Sequence, residues 1–98
     1  MAKLDAAALK DRLAKAPGWT HDGNSIHRQY TLGSFPDAIA FVTRLAFDAQ
    51  AADHHPDILI NYKRVTLTYS THSEGGLTQK DFDGAHGADA LAAATQSR

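Results

Sequence analysis

Apolar residues recur at helical spacing in three stretches of this chain and alternate along four shorter ones. From Asp5 to Ala16, the residues Ala6, Leu9, Leu13 and Ala16 lie three or four apart, and Pro17-Gly18 stops the pattern. Trp19 to His21 and Ile26 to Leu32 flank Asp22-Gly23-Asn24, a hairpin turn signal. In the second of these strands Arg28 shares a face with Ile26, Tyr30 and Leu32, which points to a sheet edge. Ser34-Phe35-Pro36-Asp37 reads as a capping box, with Ser34 at the N-cap, Asp37 at N3 and the proline in the first turn. Behind it Phe35, Ile39, Val42, Leu45, Ala46 and Ala49 form one apolar stripe, and the helix reaches about Ala52. At 1.5 Å per residue it is roughly 27 Å long, enough to cross a four-stranded sheet. Strands Asp57 to Tyr62 and Arg64 to Thr71 follow, joined by a tight turn at Tyr62-Lys63. A last helix starts at Thr78, another N-cap with Asp81 at N3, and runs toward Thr95; Gly84 and Gly87 weaken it by about 1 kcal/mol each relative to alanine. Trp19 and the set Phe35, Phe41 and Phe47 read as core or packing residues.

The order is α-β-β-α-β-β-α. Two hairpins separated by a long helix predict an α+β fold: a single domain over residues 1–98, with a four-stranded antiparallel sheet and three helices on one face. Composition agrees, since 98 residues with 43% apolar and 21% charged side chains suit one soluble globular domain. A formal net charge of −1 offers no footprint for gripping phosphate backbones, so direct nucleic-acid binding is not expected. No apolar run is long enough for a bilayer, and Met1 to Leu13 is charged and amphipathic rather than a secretory leader, so a cytoplasmic, non-membrane protein is expected. Without cysteine there is no thiolate nucleophile and no disulfide framework.

What changes the picture is six histidines in so short a chain, two of them adjacent. A two-residue turn at Tyr62-Lys63 sets Ile60 opposite Val65 and Ile58 opposite Leu67 on the apolar side. On the other side Leu59 meets Thr66 and Asp57 meets Thr68; continued past Pro56, the same register sets His55 against Ser70 and Asp53 against His72. Asp53-His54-His55 and Ser70-Thr71-His72 are thereby expected at one end of the sheet, near Asp81 and the loop Ser73 to Leu77. Imidazoles can accept one proton and give another near neutrality, which suits an elimination or isomerisation without a metal. A metal site is the rival use of three histidines and an aspartate. Adjacent histidines on extended backbone point to opposite sides, however, so His54 and His55 are poor co-ligands and no metal is expected. Alone, His54-His55 would read as a helix-terminal pair favoured by the helix dipole, and Asp81 as a capping carboxylate. Tyr62 reads as a turn or packing residue, and His21, His27 and His86 as surface or partly packed histidines.

Asp53-His54-His55-Pro56-Asp57, with Tyr62, His72 and Asp81 at fixed intervals beyond and Ser70-Thr71-His72 leading to Gly75-Gly76-Leu77-Thr78, resembles the signature of the pterin-4a-carbinolamine dehydratases. The likeness extends to Gly18-Trp19, the first hairpin and Phe41 to Leu45, and so covers nearly the whole chain. It implies dehydration of 4a-hydroxytetrahydropterin to quinonoid dihydropterin, the recycling step after aromatic amino acid hydroxylation, with no cofactor. By the resemblance His54, His55, His72 and Asp81 are the catalytic set, the histidines also contact the pterin, and Asp53, Ser70, Thr71 and Ser73 bind it. The resemblance also implies a homodimer or homotetramer, and an alternative role as a dimerisation cofactor or coactivator module for a protein partner. Three features depart from the family pattern: Gln50 stands where an acid is common, Ile58 where an aromatic is common, and Gly84 and Gly87 where bulkier apolar residues are common.

Overall fold

In the computed structural model, which describes residues 2–96, the chain runs α1 (Ala6–Ala14), β1 (Thr20–Asp22), β2 (Ser25–Thr31), α2 (Phe35–Ala52), β3 (Asp57–Asn61), β4 (Arg64–Tyr69), a single 3₁₀ turn (His72–Glu74) and α3 (Gln79–Gln96). Met1, Ser97 and Arg98, the ends of the expected 1–98 unit, lie outside the described residues. The architecture is the expected one: three helices against a four-stranded antiparallel sheet in the order α-β-β-α-β-β-α.

Each helix begins where the sequence provides a cap. Asp5 accepts from the Ala8 N–H at 2.8 Å, and Ser34 accepts from the Asp37 N–H at 3.2 Å. At α3 the box is reciprocal: the Thr78 hydroxyl accepts from the Lys80 N–H at 3.3 Å, while the Asp81 carboxylate accepts from the Thr78 N–H at 2.9 Å.

The strands lie in the order β1-β2-β4-β3. β3 and β4 pair as the Tyr62-Lys63 turn requires, Asp57 opposite Thr68 and Ile60 opposite Val65, with Tyr62 taking the positive-φ corner at 56°. The hairpins dock through β2 and β4, from Ile26 against Tyr69 to Thr31 against Arg64. β2 is therefore central, not an edge. Arg28 is accommodated on the inner face because its guanidinium pairs with Asp89 of α3 at 3.0 Å, and Asp89 also accepts from the Tyr30 hydroxyl and the Trp19 indole N–H. Ile26, Val65, Leu67 and Tyr69 meet Phe41 and Leu45 of α2 and Phe82 and Ala85 of α3 in the core, and Leu9 and Leu13 of α1 pack against it.

Two further expectations need correction. α2 buries Ala38, Phe41, Leu45 and Ala49, so its core stripe is rotated from the expected one; Phe35, Ile39 and Phe47 are exposed, Phe47 by 74%. The helix carries two apolar faces, and the one with small residues turns inward because Ala38 and Ala49 permit close approach. The β3–β4 ladder also does not continue past Pro56. β4 ends at Tyr69, and Thr71 bridges Gly76 instead, closing the His72–Glu74 turn into a loop with Gly75 at φ 70°. Proline has no N–H for another rung. The expected pairs of His55 with Ser70 and Asp53 with His72 are not formed.

Candidate active site

The adjacent histidines are positioned by how α2 ends. Asp53 caps the helix in the left-handed region, φ 51° and ψ 43°, with its N–H directed to the Ala49 and Gln50 carbonyls. The His54 N–H reaches the Ala49 carbonyl at 3.1 Å, the long closing bond of a Schellman-type terminus. Past this reversal the two side chains diverge. His54 turns to the helix side of the sheet, where its ring stacks on Tyr69 at 5.9 Å between centroids and 21° between planes, and only 12% of its side chain is exposed. His55 is exposed, and its Nε2 lies 2.9 Å from the Gln50 Oε1. A carbonyl oxygen can only accept, so the His55 Nε2 carries the proton, and in the neutral ring Nδ1 keeps the lone pair.

His54 is held by a buried acid. Asp81 is 0% exposed, and its Oδ1 lies 2.6 Å from the His54 Nε2. Its Oδ2 accepts from the Thr71 hydroxyl at 2.8 Å and from the Thr78 N–H at 2.9 Å. The two expected roles of Asp81 are thus divided between its oxygens, one capping α3 and the other orienting a histidine. Burial, with Asp81 and Asp48 nearby, pushes the Tyr69 phenol up to about 12, so the surface under His54 stays neutral.

Two clefts of about 380 Å³ each flank this end of the sheet. The first lies between α2 and α3, lined by Leu45, Ala49, Tyr69, Gly87 and Ala88, with His54 in its wall and Asp48, Lys80 and Asp83 around it. The second is polar: His55, His72, Ser70, Thr68 and Asp57 line it with Asn24, Ser25 and the backbone of Gly75-Gly76. Of the residues expected to bind or act, His55, His72 and Ser70 therefore share a cleft, while His54 and Asp81 form a separate buried pair. Asp53 is an exposed helix cap, and Thr71 is 8% exposed with its hydroxyl committed to Asp81. Ser73 sits exposed in the 3₁₀ turn and does not line either cleft.

Sequence reasoning missed Asn24 and Ser25. They arrive because β2 pairs with β4, which lets the Ser70 hydroxyl donate to the Asn24 carbonyl at 2.8 Å. The rung of Asp57 with Thr68 gave a signal for those two, since both fall on the face of Ser70. Among the described residues no group of three His, Cys, Asp or Glu side chains is gathered to hold a metal ion, and His54 and His55 line different clefts.

A fold of this order is shared with known proteins. The model of the family described as pterin 4 alpha carbinolamine dehydratase matches residues 2–91. A relative from Roseiflexus sp. (strain RS-1), provisionally named a pterin-4-alpha-carbinolamine dehydratase, is 54% identical over 81 residues, covering 83% of this chain and 87% of its own. One from Herpetosiphon aurantiacus with the same provisional name is 46% identical over 96 residues, 98% of this chain and all of its own. A crystal structure from Brucella melitensis, described as a transcriptional coactivator/pterin dehydratase, superposes with a TM-score of 0.87 at 34% identity, covering 92% of this chain and 98% of the other. The chain belongs to the pterin 4 alpha carbinolamine dehydratase family.

Proposed function

We propose that this protein is a hydro-lyase that dehydrates a 4a-hydroxytetrahydropterin to the quinonoid dihydropterin, in tetrahydrobiopterin recycling. The observation that carries the reading is the polar cleft in which His55 and His72 stand together, separated in sequence by a full hairpin. A pterin is planar and rich in donors and acceptors, and the walls offer both: Ser70 and Thr68 hydroxyls, the Asp57 carboxylate and glycine backbone. Elimination needs one group to take the N5 proton and another to protonate the departing C4a hydroxyl. His55, with its Nε2 proton held by Gln50, presents Nδ1 as the base, and His72 in the same cleft serves as the acid. As N5–H gives its proton to His55, the C4a–N5 double bond forms, the C4a–O bond breaks and water leaves with the His72 proton. Both rings are exposed and exchange protons with solvent to reset. His54, which the resemblance puts in the catalytic set, is held by Asp81 on the helix side of the sheet and lines the other cleft, so it moves no proton in this step.

The test is the rate at which 4a-hydroxytetrahydropterin absorbance decays with purified protein. Intact protein is expected to accelerate the decay, and His55→Ala or His72→Ala to lower the rate by about 10²- to 10⁴-fold. No acceleration by intact protein, or full acceleration by the double variant, would overturn the reading.

A second reading is a protein-binding module, favoured by the exposed Phe35, Ile39 and Phe47 on α2 and by the coactivator description of the Brucella protein. We assign the same surface to self-association as a homodimer or homotetramer. A stoichiometric heterologous partner together with negligible dehydration would favour the module instead.

A further inference from the structure

The hydrogen-bond directions around Asp81 give Thr71 a role different from substrate binding. A carboxylate oxygen accepts only, so the proton between Thr71 and Asp81 belongs to Thr71. A hydroxyl has one proton; with that of Thr71 given to Asp81, the 2.9 Å contact to Thr78 must be filled by the Thr78 hydroxyl donating to Thr71. The Thr78 oxygen in turn accepts from the Lys80 N–H at 3.3 Å. The chain therefore has one direction: Lys80 N–H to Thr78, Thr78 to Thr71, Thr71 to Asp81, with His54 donating Nε2–H to the other carboxylate oxygen at 2.6 Å. No buried side-chain polar atom among the described residues is left unpaired, so the network is closed. The same residue fixes the neighbouring loop through its backbone: the Thr71 N–H and carbonyl pair with Gly76 at 3.3 Å, and that carbonyl also accepts from the Glu74 N–H at 3.1 Å, around the turn that carries His72.

We infer that Thr71 is a positioning residue that ties the His54–Asp81 pair on the helix side of the sheet to the His72 loop on the cleft side, and that its hydroxyl does not contact substrate. The inference rests on the acid/base reading above. Its geometric basis is separate: the Thr71 hydroxyl is the link that joins Asp81 to the segment bearing His72, and it is 8% exposed with its proton already committed.

The experiment compares Thr71→Val, which keeps the shape but removes the hydroxyl, with Thr71→Ser, which keeps the hydroxyl. Three quantities are read: kcat, the Kd of a stable dihydropterin analogue, and the ¹H–¹⁵N signal of the His54 Nε2–H. Thr71→Val is expected to move and broaden the His54 signal and to lower kcat ten- to a hundredfold through misplacement of the rings, with the Kd changed less than twofold. Thr71→Ser is expected to restore all three. If Thr71→Val folds poorly, Thr71→Ala is read in the same way. A Kd raised tenfold with the His54 signal unmoved overturns the inference and makes Thr71 a substrate contact. A parallel assay of His55→Ala and His72→Ala separates the two claims. Full turnover in both would defeat the acid/base reading, whereas the His54 signal in Thr71→Val decides the role of Thr71 independently.

Discussion

Asp53 joins α2 to the paired histidines, and its backbone conformation makes it the cap at which the chain reverses. A non-glycine residue at φ 51° is uncommon, and aspartate tolerates it because its short polar side chain can satisfy nearby backbone. The resemblance implied that Asp53 meets the pterin; the geometry makes it the reversal that releases His54 and His55 to different sides. Asp53→Gly should therefore keep or slightly raise the urea midpoint and leave dehydration unchanged, whereas Asp53→Val should cost about 1–2 kcal/mol. If Asp53→Gly kept its midpoint but lost analogue binding, the side chain would be a substrate contact after all. The divergence of the two histidines was legible in their adjacency alone, since neighbouring residues in extended chain alternate. That argument told against a shared metal, and it equally tells against a single pocket lined by both rings. The structure shows the consequence in His54 buried on Tyr69 and Asp81 and His55 open to the polar cleft.

Among the elements, α3 shows how a weak propensity can be a packing requirement. Its two glycines look alike in sequence and differ in the fold. A Cβ at Gly84 would sit 2.5 Å from the Tyr69 Cε1, so the bare backbone is what lets the helix lie against the ring that supports His54. A Cβ at Gly87 would meet nothing within 4 Å. Gly87→Ala is expected to stabilise by about 0.5–1 kcal/mol from helix propensity and lower backbone entropy in the unfolded chain. Gly84→Ala has the same propensity gain but should destabilise by a net 1–3 kcal/mol, because the buried Tyr69 must move. Thermal midpoints of the pair check this, and equal shifts in both variants would contradict the packing argument. Element boundaries followed local signals closely: Ser34 and Thr78 cap where their patterns said, and the two-residue turn at Tyr62-Lys63 set the β3–β4 register. The phase of α2 did not follow, because Phe35 and Ile39 are apolar enough to pass for part of a core stripe, and Phe47 for a packing residue. Which face turns inward is decided by fit against the sheet, a property of two elements together.

At the scale of the whole molecule, the order β1-β2-β4-β3 was not legible in hairpin signals, since each hairpin is local and their docking is not. That docking brings Asn24 and Ser25 to the cleft and makes β3 an edge with Leu59 64% exposed. The opposite surface is more telling. Phe47 points outward from the C-terminal half of α2, flanked by exposed Arg44 and Asp48, neither of which belongs to an ion pair among the described residues. A two-fold axis crossing α2 near Ala46 would pair it antiparallel with a second copy. That geometry buries Phe47 of both protomers and sets Arg44 of each opposite Asp48 of the other, the same contact made twice as a closed isologous interface requires. Phe47→Glu should then shift the protein to monomer in sedimentation equilibrium while leaving the helical circular dichroism intact. Arg44→Asp alone places like charges across the axis and should weaken association at low salt. Arg44→Asp combined with Asp48→Arg restores opposite charges and should recover it, whereas a partner of another sequence bound at this face would gain nothing from the swap. Association unchanged in all three variants would move the self-contact away from α2 and leave the edge strand β3 as the surface to test.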